Sequence, residues 1–464
     1  MANARYQRGR APSSAESFGF HEVDRPVVLA MPPRVRQVFD SHLQKATMST
    51  TSTPTPVGVY APPAPTALEP VAPGERIHGL DLLRGWAMFG VLWSNLNDWY
   101  DVADEKTSLD RAIGFVQENF VESRFFILLC VLFGIGFGIQ LARASQRGVS
   151  IQKTYMRRSA ALLAIGLVHL TLIWHGDILT EYALVSFALL LFRDIAPKRQ
   201  LAWAVGLYLF AGDIINRLRW LAGQRIMVPR VPSATANWIY GHGSLAQIHH
   251  QRLLDDADWF GRWGLTTYFY VLALFLAGVW ALRSGFFQRV VSEPRTTRRF
   301  LAWTVGLTLV CFAVGWLGEH VLPQPSGPPQ TTLAVMLQWR RFLSTAFDPT
   351  VPMGLAYAAL LLLAFQTRRG ARLLAPLAAT GRVALTTYLT QSVVSTFLFY
   401  SFGLKWFGTV GYTGMLEITV VLFAIQMAAS TWWLKHYRFG PMEWLWRTLT
   451  YGHAPAMRLE TAAA

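Results

Sequence analysis

Cysteine is nearly missing from this chain. Its 464 residues include two, Cys130 and Cys311. Both sit inside apolar stretches, which leaves no disulfide framework or cysteine metal cluster and makes each a small core residue. Charge is sparse as well: Asp, Glu, Lys and Arg together make up 15% of the residues, against about a quarter in a soluble domain. Acids are the scarcer sign, 27 against 42 Lys plus Arg. The sequence also lacks a phosphate-binding Gly-rich loop ending in Lys, a nucleophile elbow and an HExxH pair. Those absences exclude P-loop pumps, α/β-hydrolases and zinc proteases. His249 and His250 are adjacent and point apart on a helix, so no metal site is expected.

What fills the chain instead is apolar. Hydrophobic residues reach 52%, with 18 Trp, and the mean hydropathy is +0.29, the balance of an integral membrane protein. A bilayer crossing takes about 20 apolar residues in helix, and stretches near 82–99, 124–143, 158–175, 178–193, 200–216, 264–282, 300–319, 351–366, 383–402 and 413–434 approach that length. The expected fold is all-α, a polytopic transmembrane helical bundle of about ten spans. Every second loop is basic, carrying first Arg143, Arg147, Lys153, Arg157 and Arg158, then Arg193, Lys198 and Arg199, then Arg283, Arg289, Arg295, Arg298 and Arg299, then Arg368, Arg369, Arg372 and Arg382. Asp98, Asp101, Asp104, Glu105 and Asp110 crowd the first loop of the opposite side. The positive-inside rule then places both termini in the cytoplasm. Arg217, Arg219, Arg225 and Arg230 run against the pattern, in an outer loop (217–263) long enough to obey it loosely. The basic surplus is topological, and the expected partner is the lipid bilayer, not nucleic acid.

Residues 1–73, with "TSTPTPVGVYAPPAPTALEP", are rich in Pro, Thr and Ala and lack a signal-peptide core; they are expected to form a disordered cytoplasmic tail, with Met48 as an alternative start. Residues 74–439 form the transmembrane domain. In 440–464, Gly440 ends one helix, Pro441 opens the next and Glu443 pairs with Arg447. With Trp444 and Trp446, this reads as an amphipathic helix on the cytoplasmic surface. In the outer loop, Leu245, Ile248, Leu253 and Trp259 are expected to form an apolar stripe lying on the outer leaflet as a lid.

Polar groups at membrane depth are costly and face a cavity or a partner. Asp81 and Arg84 are three apart at the mouth of the first span and can pair across one face. Asn95, fourteen residues on, lies about 21 Å further along the helix axis. "GLVHLTLIWHGDILTEYALV" gathers His169, His175, Asp177 and Glu181, with Gly176 breaking the apolar run and Asp177 placed to cap the next helix. A His beside a carboxylate suits proton transfer, although each His also fits an interhelical hydrogen bond. The ninth span carries Thr387, Gln391 and Ser395 at spacings of four, a stripe that must face other helices or water.

"RIHGLDLLRGWAMFGVLWSN", "GLVHLTLIWHGDILTEYAL", "GRVALTTYLTQS" and the closing "RFGPMEWLWRTLTYG" resemble the YeiB-like bacterial membrane proteins, the domain-of-unknown-function 418 family, from about residue 76 to 458. That family is similar in turn to transmembrane acyltransferases such as the lysosomal heparan-alpha-glucosaminide acetyltransferase. Its first-span pattern of Asp, Arg-Gly and Asn maps onto Asp81, Arg84, Gly85 and Asn95. The match departs at Lys106, where that enzyme has its catalytic His, so acetyl-His chemistry is not implied.

The resemblance implies a multi-pass protein of the bacterial cytoplasmic membrane that moves an acyl group from cytosolic acyl-CoA, a donor substrate rather than a bound cofactor, to an unknown hydroxyl or amine acceptor that is part of the envelope or secreted. Asp177 would be the general base, oriented with His175 or His169, and Asn95 would stabilise the oxyanion. Asp81, Arg84, Arg252, Gln391, Glu181 and Tyr182 complete the expected substrate-binding set. The rival is a small-solute transporter in which Asp177 and Glu181 couple protons while Asn95 and Gln391 bind solute. A subunit without chemistry and a homo-oligomer are both compatible with the sequence.

Overall fold

The computed structural model describes residues 77–103, 107–221, 233–320 and 346–459; the tail 1–73, Lys106, Arg225 and Arg230 lie outside them. The main helices in chain order are α1 (His78–Trp99), α2 (Ser108–Val116), α3 (Arg124–Gln146), α4 (Gln152–Val168), α5 (Leu179–Leu189), α6 (Pro197–Leu221), α7 (Ser233–His242), α8 (Leu245–Trp259), α9 (Leu265–Arg283), α10 (Pro294–His320), α11 (Thr350–Phe365), α12 (Ala375–Arg382), α13 (Ala384–Phe399), α14 (Tyr412–Trp433) and α15 (Pro441–Tyr451). The described residues are all-α, with one isolated bridge between Tyr437 and Arg458.

Five helical runs among the described residues are long and apolar enough to cross a membrane: Ser108–Gln146, Gln152–Ile173, Leu245–Arg283, Pro294–Leu317 and Tyr412–Trp433. Leu179–Phe192 and Thr350–Phe365 are shorter apolar helices. The protein is a membrane protein. α10 leaves Trp303, Leu309 and Trp316 exposed, a face that water would not tolerate and lipid satisfies.

α1 is the axis of the bundle, packed against α3, α11, α12, α13 and α14. Its inward Leu82, Leu92 and Leu96 are fully buried. Two glycines bring the backbones of α3 and α9 into contact at their crossing. A Cβ on Gly134 would lie 2.0 Å from the Phe275 carbonyl oxygen, and one on Gly278 would lie 2.1 Å from that of Val131. This is why α3 and α9 can touch: small residues let helices approach where no hydrophobic effect drives them together.

The segment expected as an outer lid is built differently. α8 runs through a π-helical turn, Phe260–Gly264, into α9. Its buried face carries Ile248, Gln251, Arg252 and Asp256, whereas Leu245 and Leu253 are exposed. The expected stripe is therefore split, because the inward side of α8 walls a polar cavity.

α15 is docked as well as amphipathic, packing on α4 and α13. Arg158 sits 3.6 Å over the Trp446 ring, and Trp446 Nε1 donates to the Arg158 carbonyl at 2.9 Å. Glu443 reaches beyond its own helix. Its carboxylate accepts from the Leu385 amide at 2.6 Å, the Thr386 amide at 3.1 Å and the Thr386 hydroxyl at 2.6 Å, so it caps the N-terminus of α13, whose own N-cap residue offers no side-chain bond. Glu443→Ala is expected to lower unfolding stability in detergent by about 2 kcal/mol, since it leaves those donors unmade. Glu443→Gln, which keeps an acceptor, is expected to lose less. Equal melting of all three proteins would remove the cap from the account.

Candidate active site

The turn between α4 and α5 arises from local sequence. α4 loosens into a π-helical turn, His169–Ile173, and Trp174 then leaves the helix in extended backbone. Gly176 is demanded by contact: a Cβ there would lie 2.4 Å from the Trp174 ring. Asp177 follows, one residue before the N-cap of α5, and its Oδ2 accepts the Thr180 amide at 2.7 Å. Its Oδ1 lies 2.8 Å from His169 Nδ1. Both side chains are buried, and His169 Nε2 has no partner among the described residues. Tyr388 of α13 pins the turn, accepting the Ile178 amide at 3.2 Å and donating to the Gly176 carbonyl at 3.3 Å.

This turn opens onto a cavity of ≈ 700 Å³ that Asn95, His175, Asp177 and Glu181 all line. The volume suits a small-molecule site. His169 is behind Asp177 rather than on the surface of the cavity. His175 stacks on Tyr240, with ring centroids 5.3 Å apart, and the Tyr240 hydroxyl donates to Asp255 at 2.6 Å. Burial, then Tyr400 and the Asp255 carboxylate, push the Tyr240 phenol well above its usual range, so it stands as a donor.

The remaining expected residues lie elsewhere. Asp81 and Arg84 pair at 3.4 Å toward the other end of α1. Gln391 bridges α13 to α14 through Gln426 at 2.9 Å and faces a small void beside Asn95, not the large cavity. Tyr182 turns toward Cys130 Sγ at 3.2 Å. Arg252 is buried behind the wall, 5.5 Å over the Tyr400 ring, with Nε unpartnered among the described residues.

Sequence reasoning did not single out Asp98, Asp255, Asp256 and Asp258 as site residues, yet each lines the cavity. Two backbone signals mark the same place. The π-helical segments Gln117–Val121, His169–Ile173 and Phe260–Gly264 each contribute a wall residue, Val121, Leu170 and Phe260, and such segments concentrate at functional sites. Asp101 (φ 53°) and Ser123 (φ 64°), non-glycine residues in left-handed backbone, line it too.

Comparison with known proteins extends over most of the chain. The family described as "Protein of unknown function (DUF418)" matches residues 281–453, which include Gln391 and the closing Glu443 motif. Uncharacterized protein YxaH of Bacillus subtilis (strain 168) is 34% identical over 418 residues, covering 83% of this chain and 97% of that protein. Uncharacterized protein YeiB of Escherichia coli (strain K12) is 28% identical over 402 residues, 81% of this chain and 96% of that protein. The similarity thus spans the cavity as well as the C-terminal motif, and the chain belongs to the YeiB-like DUF418 family.

Proposed function

We propose that this protein is an acyltransferase of the bacterial cytoplasmic membrane, transferring an acyl group from cytosolic acyl-CoA to a hydroxyl or amine acceptor held in the cavity. The observation that carries this is the presence of Asn95 and Asp177 on one cavity wall, with His169 fixed behind Asp177. The acceptor oxygen or nitrogen attacks the thioester carbonyl and gives its proton to Asp177. The Asn95 side-chain amide donates to the oxyanion that forms. Collapse breaks the carbon–sulfur bond, and the CoA thiolate leaves and recovers the proton from Asp177. His169 acts as a positioning residue, and Asp177 does the proton transfer. Arg84, at the mouth of α1, receives the CoA phosphates, and Asp81, about 21 Å from Asn95 along the helix axis, orients its guanidinium.

A thiol-release assay on purified protein with acetyl- and longer acyl-CoAs tests this. Asn95→Ala is expected to lower turnover about 10²-fold with folding intact. Failure of every acyl-CoA both to bind and to turn over would overturn it. One observation favours transport instead: Glu181 is buried, faces the cavity and has no hydrogen-bond partner among the described residues, as a proton-coupling carboxylate would. A transported solute would emerge with unchanged mass.

A further inference from the structure

The cavity is unusual in the sign of its lining. Asp98, Asp101, Asp177, Glu181, Asp255, Asp256 and Asp258 all border it, and among the described residues no Lys or Arg does. Most of these carboxylates are already satisfied. Ser94 donates to Asp98 at 2.8 Å, His169 and Thr180 serve Asp177, Tyr240 and Gln251 serve Asp255, and Arg262 pairs with Asp258. Glu181 and Asp256 are different. They are only 6% and 9% exposed, line the cavity, and have no hydrogen-bond or ion-pair partner among the described residues.

Asp177 lines the same cavity as both, so the three acids face a common space. Arg252 is buried behind the wall, and among the described residues it makes no ion pair with Asp256. A buried carboxylate left in this way is stable only with its proton on or with a cation opposite it, and a cation entering the cavity would supply the second. Among the described residues no three His, Cys, Asp or Glu side chains are grouped to hold a metal ion, so an organic cation suits this wall better than a bare one. The rest of the wall is aromatic, including Trp99, Tyr240, Trp259 and Trp263, and such faces attract ammonium groups and stack on organic bodies.

We infer that the cavity binds an organic ammonium ion, its charged nitrogen seated against Glu181 and Asp256 and its body against the aromatic wall. The inference stands on the cavity alone and holds whether or not acyl transfer occurs there.

The test uses the full chain in lipid nanodiscs without acyl-CoA and three probes that differ in charge: phenethylammonium, neutral 2-phenylethanol and anionic phenylacetate. Calorimetry is expected to show saturable binding of phenethylammonium at least about tenfold tighter than of 2-phenylethanol, with phenylacetate weakest. Glu181→Gln and Asp256→Asn, which conserve shape, are each expected to reduce that preference at least about threefold while leaving 2-phenylethanol affinity unchanged. Equal affinity for the cation and the alcohol, no binding of the cation, or an unchanged preference in both variants would overturn the inference. Should a variant fail to fold, the wild-type preference for charge decides alone. Cation selectivity without acyl-CoA turnover would keep this inference and discard acyl transfer; the reverse result would do the opposite.

Discussion

Asp177→Asn is expected to lower acyl-CoA-dependent transfer by about 10²–10⁴-fold, the range for losing a positioned general base, while the protein still folds. The substitution is nearly isosteric, and the amide oxygen can still accept from His169 Nδ1 or the Thr180 amide, the two bonds that hold Asp177 in the native protein. What it loses is the capacity to take a proton. Asp177→Ala is expected to go further and destabilise the turn by about 2–3 kcal/mol, because His169, whose Nε2 already lacks a partner, would then have both ring nitrogens buried and unpaired. Turnover and thermal unfolding of the two variants separate these effects. An Asn variant that unfolds as readily as the Ala variant would make Asp177 a structural cap, and one that turns over at the wild-type rate would remove it from the chemistry.

The second large effect concerns the scaffold. Gly134→Val is expected to prevent folding or to destabilise the bundle by at least about 3 kcal/mol. A Cβ at that position meets the Phe275 carbonyl oxygen at 2.0 Å and the Phe275 carbonyl carbon at 2.8 Å. Backbone atoms cannot swing aside as a side chain can, so α3 and α9 would have to separate, and the Phe133 and Phe275 rings, stacked across the crossing at 4.7 Å, would separate with them. Gly148→Ala provides a control of another kind: nothing lies within 4 Å of its Cβ position, and its cost comes from the positive φ of 64°, about 1 kcal/mol. Yield and monodispersity in detergent report on both. Wild-type behaviour of Gly134→Val would mean that the α3–α9 contact is looser than the structure shows.

How much of this was legible beforehand follows from the range of each interaction. The apolar stretches were legible because hydropathy over some twenty residues is a local property, and a helix overlies each expected stretch. The His-Gly-Asp turn was legible for the same reason: His169, Asp177 and Thr180 lie within twelve residues and bond to one another. The acidic wall contributed by α8 was not. Its apolar residues suggested a surface helix, but burial on α8 is decided by what the chain folds against, and there the neighbour is the distant His169–Ile173 turn, with His249 Nδ1 3.1 Å from the Thr171 carbonyl oxygen. The Glu443 cap was hidden likewise, because its donors at 385 and 386 are nearly sixty residues away. Gln391 was expected to wall a cavity, and it borders a small void beside Asn95; its hydrogen bonds to Gln426 and the Met88 carbonyl were not legible, because those partners lie on other helices.

The most direct measurement supplies purified protein in nanodiscs with acetyl-CoA carrying a heavy-isotope acetyl group, together with an envelope extract, and follows free CoA thiol and product mass together. Thiol release matched by the labelled acetyl mass on an extract component, both lost in Asp177→Asn, is the expected result. Extract components of unchanged mass, with no CoA thiol released above the Asp177→Asn background, would contradict acyl transfer.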